Sequence, residues 1–332
     1  MRIAAGIFAG IALSLAIGVP TVGAAAKSDP VRLSGRQYIR LSDWARANKF
    51  DVRRLDQGRA LQLSNRLGKL VFNLDPRRNL RRLEIDGVEV WLSFPLVSRN
   101  GATHIAVLDL EQTLKPILWP RTNPPGTKIR TICLDPGHGG KDPGYRINSH
   151  EEKKYTLLLA REVRSQLEQK GFDVVTTRDA DAFVDLATRT EIARKRKADL
   201  FVSLHFNALN GSRNGAQGIE TYCVTPAGAT STNARGEGNT RRVPGNCHTD
   251  RSMLLAYHVQ KSMVRSLSAR DRGVRRARWQ VLREAQMPAV LIEGGFMSHA
   301  VEGQRIFDPA YRRQMARAIV DGILACQRAL KG

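Results

Sequence analysis

Four side chains in this chain of 332 residues have the types and placement that hydrolytic chemistry needs: His138, Glu152, His205 and Glu293. His138 stands in Leu134-Asp135-Pro136-Gly137-His138-Gly139-Gly140-Lys141-Asp142-Pro143-Gly144, where an apolar run breaks into a loop of Gly and Pro. Gly admits backbone conformations that other residues avoid, and Pro stiffens the turn. A lone histidine in such a loop is more often structural than functional. His205 follows the apolar run 199–204, Glu293 closes the run 289–292, and Glu152 begins a helical stretch after the loop 145–150. Two imidazoles and one carboxylate compose a catalytic zinc set that leaves a fourth position for water. Zinc brings the pKa of that water from about 15.7 to about 7. Hydrolysis also needs a base to take the water proton and return it to the leaving amine, a role that Glu293 fits. The spacing 138, 152, 205 is not a local metal motif such as HExxH, so residue types alone leave the structural reading open.

The elements that must position these residues follow from periodicity. From Lys128 onward strands alternate with helices, which implies a largely parallel sheet covered on both faces. Strands are expected at 129–134, 172–177, 199–204, 218–224 and 288–293, and helices at 152–169, 185–197, 250–269 and 309–330. In the last helix Tyr311, Met315, Ile319, Ile323, Cys326 and Leu330 recur at three- and four-residue spacing, a one-sided apolar stripe. His138, His205 and Glu293 then all lie just past strand ends, where α/β sheets bind ligands. Residues 31–118 read as a small α+β unit: strands at 37–41, 60–63, 70–74, 84–85 and 89–97, a short helix at 41–49, a hairpin turn at Ser98-Arg99-Asn100-Gly101 before a strand at 104–108, and a closing helix at 111–118. His104 is alone there and reads as structural. Residues 119–127, rich in Pro, form a linker.

The stretches LDPGHGGKDPG around His138, EEKKYTLLLA around Glu152, TRDADAFVDLATR at 177–189, ADLFVSLHFNA at 198–208 and DRGVRRARWQVLREAQMPAVLIEGGF at 271–296 resemble the zinc-dependent N-acetylmuramoyl-L-alanine amidases, the type 3 amidase family. The resemblance covers roughly 128–330. It implies an α/β fold with a mixed, largely parallel sheet of about six strands flanked by helices on both faces. It also implies a Zn2+ cofactor held by His138, Glu152 and His205, with Glu293 as catalytic acid/base, and cleavage of the amide between muramic acid's lactyl group and the L-alanine of the stem peptide. Glu151 adjoins Glu152; the following Lys153 and the step to Leu157 match the family pattern for Glu152. His150, His248, His258 and His299 fall outside the ligand set, with His299 expected to face solvent. Asp135 and Asn207 are expected to form turns or support ligands. Arg178 and Arg189 match family positions, with Asp179 or Asp185 as available partners. The N-terminal unit faintly resembles the copper amine oxidase-like N-terminal domain, though nothing in it looks like a copper site; wall binding or tethering is the working expectation.

Composition narrows the partners. Lys and Arg number 53 against 31 acidic side chains, a formal +22, which favours anionic partners. No nucleic-acid module accompanies the charge. Residues 1–26 read as a signal peptide: Arg2, an apolar run at 3–19, then Val22-Gly23-Ala24-Ala25-Ala26. An exported chain, most simply periplasmic and with no later membrane span, points to cell-envelope polymers, and the resemblance implies peptidoglycan among them; a protein activator is not legible. Cys133 and Cys326 read as buried small hydrophobes. Cys223 and Cys247 bracket a Gly-rich insert at 225–250, and a disulfide there would contribute about 3 kcal/mol by loop closure. The insert lacks apolar periodicity, so it reads as a loop contacting substrate through Arg235, Arg241 and Arg242, or as an inert excursion, and not as an inhibitory helix. Two other functions share the same residues: a zinc peptidase cutting within the stem peptide, and a wall-binding protein without activity.

Overall fold

The computed structural model describes residues 29–209, 215–234 and 239–331. The N-terminal part runs β1 (Val31–Leu33), β2 (Arg36–Arg40), α1 (Leu41–Ala47), β3 (Asp51–Leu55), β4 (Ala60–Asn65), β5 (Gly68–Asn73), β6 (Arg82–Ile85), β7 (Val88–Trp91), β8 (Val97–Arg99) and β9 (Ala102–Ala106). The helical turns α2 (Val107–Asp109), a π-turn at Leu110–Leu114 and α3 (Lys115–Leu118) close it. The expected hairpin is present: β8 and β9 pair antiparallel across Asn100-Gly101. The segment 119–127 carries no helix or strand.

Beyond it come β10 (Thr131–Pro136), the small hairpin β11 (Arg146–Ile147) and β12 (His150–Glu151), α4 (Glu152–Gln169), β13 (Asp173–Thr176) and α5 (Leu186–Lys195). β14 (Leu200–Asn207), β15 (Ile219–Val224), α6 (Thr249–Leu267), β16 (Asp271–Ala277), α7 (Gln280–Arg283), β17 (Ala289–Phe296), α8 (Ala300–Phe307) and α9 (Pro309–Ala329) complete the chain. The strands order as β13-β10-β14-β17-β15-β16, all neighbours parallel except β15 with β17. This is the mixed, largely parallel six-strand sheet that the resemblance implied. β16, α7 and α8 were not anticipated. β16 is rich in Arg (Asp-Arg-Gly-Val-Arg-Arg-Ala), so it lacks the apolar run by which a buried strand is usually read.

Alternation assigns the two faces. Ile132, Leu134, Val202, Leu204, Val290 and Ile292 join one core with residues of α4, α6 and α9. Their neighbours Cys133, Phe201, Tyr222, Val224 and Leu291 join a second core with Ala193 of α5 and Val281 and Leu282 of α7. Consecutive strand residues point to opposite faces, so runs buried on both sides require helices on both.

The sheet does not end at β16. β7 pairs parallel with it at Val90 opposite Val274, and the antiparallel meander β7-β6-β5-β4-β3 continues to make eleven strands. The first core is likewise continuous: Leu63, Leu70, Phe72, Leu83 and Val90 belong to the same cluster as Met253 and Leu255 of α6. Arg276 fastens the seam. It is 1% exposed, and its guanidinium donates to the Val224 carbonyl on one side and to the Gln112 carbonyl and Thr113 hydroxyl on the other.

The expected Cys223–Cys247 disulfide is not formed. Both thiols are free. Cys223 lies buried in β15 with its sulfur against the Arg276 guanidinium, 3.4 Å away, whereas Cys247 is exposed in a 3-10 turn at Pro244–His248. Cys133 and Cys326 are buried as expected. Among its described residues the insert holds only that turn before α6 and no α-helix, while Arg235 lies outside the described residues, as do residues 1–26. Among the described residues no helix is long and apolar enough to cross a membrane.

One half-buried histidine sets a pH response. Burial, reinforced by the positive charges of Lys261 and Arg328, holds His258 of α6 down at about 4, from an ordinary 6.5. Between these values the unfolded chain takes up a proton that the folded chain refuses, so stability is full above the upper value and declines as pH falls toward the lower one. In urea titrations at about pH 7 and about pH 5, the wild type should lose more stability on acidification than His258→Gln; equal losses would remove His258 from the account.

Candidate active site

The site lies at the carboxyl ends of β10, β14 and β17. β10 ends in Pro136, and the next turn carries His138 at φ +61, a left-handed conformation unusual for a residue with a side chain, though His tolerates it better than most. Two buried arginines hold that turn. Arg189 donates to the carbonyls of Pro136 and His138 at 3.0 and 2.9 Å; Arg178 donates to those of Pro136 and Gly137 at 3.0 and 2.9 Å. The partners available in sequence, Asp179 and Asp185, are not the ones used. Arg189 pairs with the buried Asp135 at 2.7 Å, and Arg178 also donates to the backbone carbonyls of Lys153 and Ala180. Asp185 instead caps α5 through Thr188. Asp135 Oδ1 also accepts from Thr177 and Oδ2 accepts from Ser203, each at 2.7 Å, so its role is to support the turn.

Glu152 opens α4 and is nearly buried. Its Oε1 lies 3.1 Å from His138 Nε2 and 3.1 Å from His205 Nδ1, and it also accepts from the Phe206 backbone N–H, as Oε2 does from Tyr145. Donor atoms of His138, Glu152 and His205 all fall within 4.8 Å of one another, a grouping able to hold a metal ion. Burial opposes charge on Glu152, but the bonds and charges of the two imidazoles prevail and hold its carboxyl far below the usual range. Burial likewise opposes the charge on His138, and its bonds to Glu152 and Asp142 prevail, raising it. Glu151 points away from this cluster, to Arg146 and Lys153.

Two glycines let the backbone come this close. A Cβ on Gly137 would sit 2.2 Å from the His205 ring, and one on Gly144 2.6 Å from the Glu152 carboxylate and 2.7 Å from the His138 ring. Any side chain at either position would push the clustered His and Glu side chains apart.

Glu293, in β17, stands in register with His205 of β14 and with Glu220 of β15. Its Oε2 is buried with no hydrogen-bond partner among the described residues, yet the side chain lines a cavity of about 480 Å³ together with His138 and His205. Burial first, then the charges of Glu152 and Glu220, push its carboxyl well above the ordinary range. Burial and like charge beside a cluster of metal-type donors are the surroundings that tune a carboxyl for proton transfer.

Two supporting carboxylates escaped sequence reasoning. Asp142 accepts from His138 Nδ1 at 2.8 Å, leaving Nε2 to face Glu152. A carboxylate on the far nitrogen fixes the orientation of a ligating imidazole; the available signal was the i, i+4 spacing in a loop closed by the Gly139–Asp142 bridge. Asp142→Asn should weaken metal affinity roughly 10–100-fold, measured by competition with a chelator; unchanged affinity would assign Asp142 to loop structure alone. Glu220 is buried beside Glu293 and answered by Arg272 and Arg275, each at 3.0 Å, and by Asn207 at 2.8 Å. A lone carboxylate inside the buried run 219–224 was its signal.

The other histidines take structural places. His150 stacks on Phe307 at 3.8 Å and meets the Tyr155 hydroxyl, and His104 is buried with Nδ1 on the Ala102 carbonyl. His299, expected to face solvent, caps α8 by accepting from the Glu302 N–H.

The chain matches the family model described as N-acetylmuramoyl-L-alanine amidase over residues 132–325. It is 34% identical to the N-acetylmuramoyl-L-alanine amidase AmiC of Neisseria meningitidis, over 58% of this chain and 51% of that one. It is 32% identical to AmiA of Salmonella typhimurium, over 62% of this chain and 78% of that one. Among solved structures, the amidase AmiC2 of Nostoc punctiforme aligns with a TM-score of 0.50 and 34% identity, covering 60% of this chain and 98% of that one. The chain spans about half the length of AmiC.

Proposed function

Because this chain belongs to the N-acetylmuramoyl-L-alanine amidase family, we propose that it hydrolyses peptidoglycan at the amide joining muramic acid's lactyl group to the L-alanine of the stem peptide. The observation that carries this reading is the convergence of three donors, two imidazole nitrogens and one carboxylate oxygen, beside a buried carboxyl with an unsatisfied oxygen. That donor set fits zinc, which takes nitrogen and oxygen ligands and keeps a position open in catalytic sites. His138, Glu152 and His205 would hold the ion. When bound, it would acidify a water and polarise the substrate carbonyl.

The remaining work falls to the protein. Glu293 takes the proton of the attacking water and delivers it to the departing alanine nitrogen, so the products are a lactyl carboxylate and a free amine. Asp142 holds the His138 ring, while Arg178, Arg189 and Asp135 hold the turn beneath it. The unit 31–118 serves wall binding in this reading, supported by the exposed Arg53 and Arg54 of β3 and Arg77 and Arg78 of the β5–β6 turn, borne by a sheet continuous with the catalytic one. Residues 1–26 direct export, most simply to the periplasm.

Incubating the full chain with purified sacculi and determining the new chain ends separates the readings. New L-alanine amines with intact muramic acid are expected. New ends elsewhere in the stem would make the protein a peptidase, and retention on sacculi without release would make it a binding protein.

A further inference from the structure

We propose that Trp279 is the platform on which the muramic acid ring rests, so that the glycan leaves the cleft on the β16 side and the stem peptide on the β13 side. The inference deepens the amidase reading and rests on it. The substrate has two limbs of different chemistry, a sugar and a peptide, that diverge from the scissile amide. The cleft has two rims, and sheet order separates them. Phe183, Val184 and Leu186 follow β13; Trp279 follows β16; the cluster of His138, His205 and Glu293 lies on the strands between.

Trp279 has the properties of a stacking surface. It is 40% exposed and lines the catalytic cavity beside Gln280 and Glu293. Its indole leans on the Tyr222 ring with centroids 4.4 Å apart. Tyr222 is itself immobilised: its hydroxyl donates to Glu220 and accepts from Asn233. The Trp279 backbone starts α7, its carbonyl accepting from Leu282 and Arg283, and the preceding Arg278 grips the carbonyls of Arg241 and Pro226 in the insert. A large apolar ring fixed in this way loses little freedom when a ligand covers it. The C–H face of a pyranose is apolar and faintly positive, complementary to the negative face of an indole, whose N–H can also donate to an acetamido or hydroxyl oxygen.

The opposite rim does not suit a sugar. The Phe183 ring is already covered by the Lys141 ammonium, 4.5 Å from its centroid, whereas among the described residues Tyr222 is the aromatic partner of Trp279 and no cation sits on it. Phe183 and Leu186, 46% and 51% exposed, with the ammonium over Phe183 and the Asp185 carboxylate between them in sequence, present apolar surface carrying a charge of each sign. This is the chemistry of a short peptide carrying aliphatic side chains and a carboxylate.

The test compares two soluble substrates: an N-acetylmuramoyl tripeptide, and the same tripeptide capped by D-lactate without the sugar. For Trp279→Ala we expect kcat/KM on the muramoyl substrate to fall roughly five- to tenfold, mostly through KM, with the lactoyl substrate unaffected. Trp279→Phe, which keeps a ring face, should retain most of the wild-type value. Equal effects of Trp279→Ala on both substrates, or none on either, would overturn the inference while leaving the amidase reading intact. Wild-type protein that releases alanine amine from neither substrate would overturn the amidase reading and this inference together.

Discussion

Replacing Glu293 by Gln should lower peptidoglycan turnover by roughly 10²- to 10⁴-fold, the usual worth of a positioned acid/base, while metal content stays unchanged. Gln matches Glu in shape, and position 293 lies inside the sheet, bonded on both sides by β14 and β15. The backbone therefore has no reason to move. What disappears is the proton acceptor. An ordinary exposed carboxylate is a weak base near neutral pH; burial and the neighbouring charges of Glu152 and Glu220 raise the affinity of Glu293 for a proton, which brings it closer to the range where transfer in both directions is efficient. Release of L-alanine amines from sacculi gives the rate, and elemental analysis of the purified variant gives the metal. Wild-type turnover in Glu293→Gln would remove the residue from the mechanism. Loss of the metal along with activity would mean that Glu293 supports the cluster and does not carry the proton.

The second large effect is on stability. Asp135→Ala should cost about 3–5 kcal/mol, because it strands the Arg189 guanidinium in a place where its side chain is 3% exposed. Removing one member of a buried ion pair leaves an uncompensated charge, which costs far more than the intact pair contributes. Here the loss also deprives Thr177 and Ser203 of their acceptor. For a protein of this size the shift in melting temperature should be on the order of 10 °C. Asp135→Asn, which keeps an acceptor oxygen for the guanidinium, should lose less. A melting curve of Asp135→Ala that overlays the wild type would show that Arg189 is satisfied by the carbonyls of Pro136, Val184 and His138 alone. The same variant should lower activity in the material that still folds, since Arg189 also holds the left-handed turn at His138.

The parts of the site that could be read in advance were those written locally. His205 and Glu293 terminate apolar runs, and His138 sits in a Gly and Pro loop after another, so strand-end placement followed from pattern. Glu152 is preferred to Glu151 only through family resemblance, since the two have the same chemistry and nothing in the composition separates them. The structure separates them by helix geometry: Glu152 opens α4 facing the cluster, while Glu151 ends β12 and turns to Arg146. Arg178 and Arg189 stand out in the sequence, but the carboxylates nearest them in sequence are not their partners. The true partner of Arg189, Asp135, is 54 residues away, and no local pattern encodes such a pairing. β16 was missed because its arginines are buried by ion pairs and carbonyls, which apolar periodicity cannot register. The Cys223–Cys247 bridge is expected because the two cysteines bracket an excursion in an exported chain, whereas Cys223 lies in a strand buried along its whole length.

The seam between β7 and β16 has a consequence for how the molecule is made. Val90 and Val274 are in register, yet most of the chain separates them, and the interval includes every proposed metal ligand. Closing so long a loop has an entropic cost that must be met before the contact returns anything. During synthesis the N-terminal meander emerges first, with β7 as an open edge and one side of its hydrophobic layer waiting for α6. The last strand it needs arrives only after the ligand loops have been laid down. Completion of the N-terminal half is therefore tied to assembly of the hydrolytic half, and a chain that stalls in between exposes a strand edge capable of pairing with another copy.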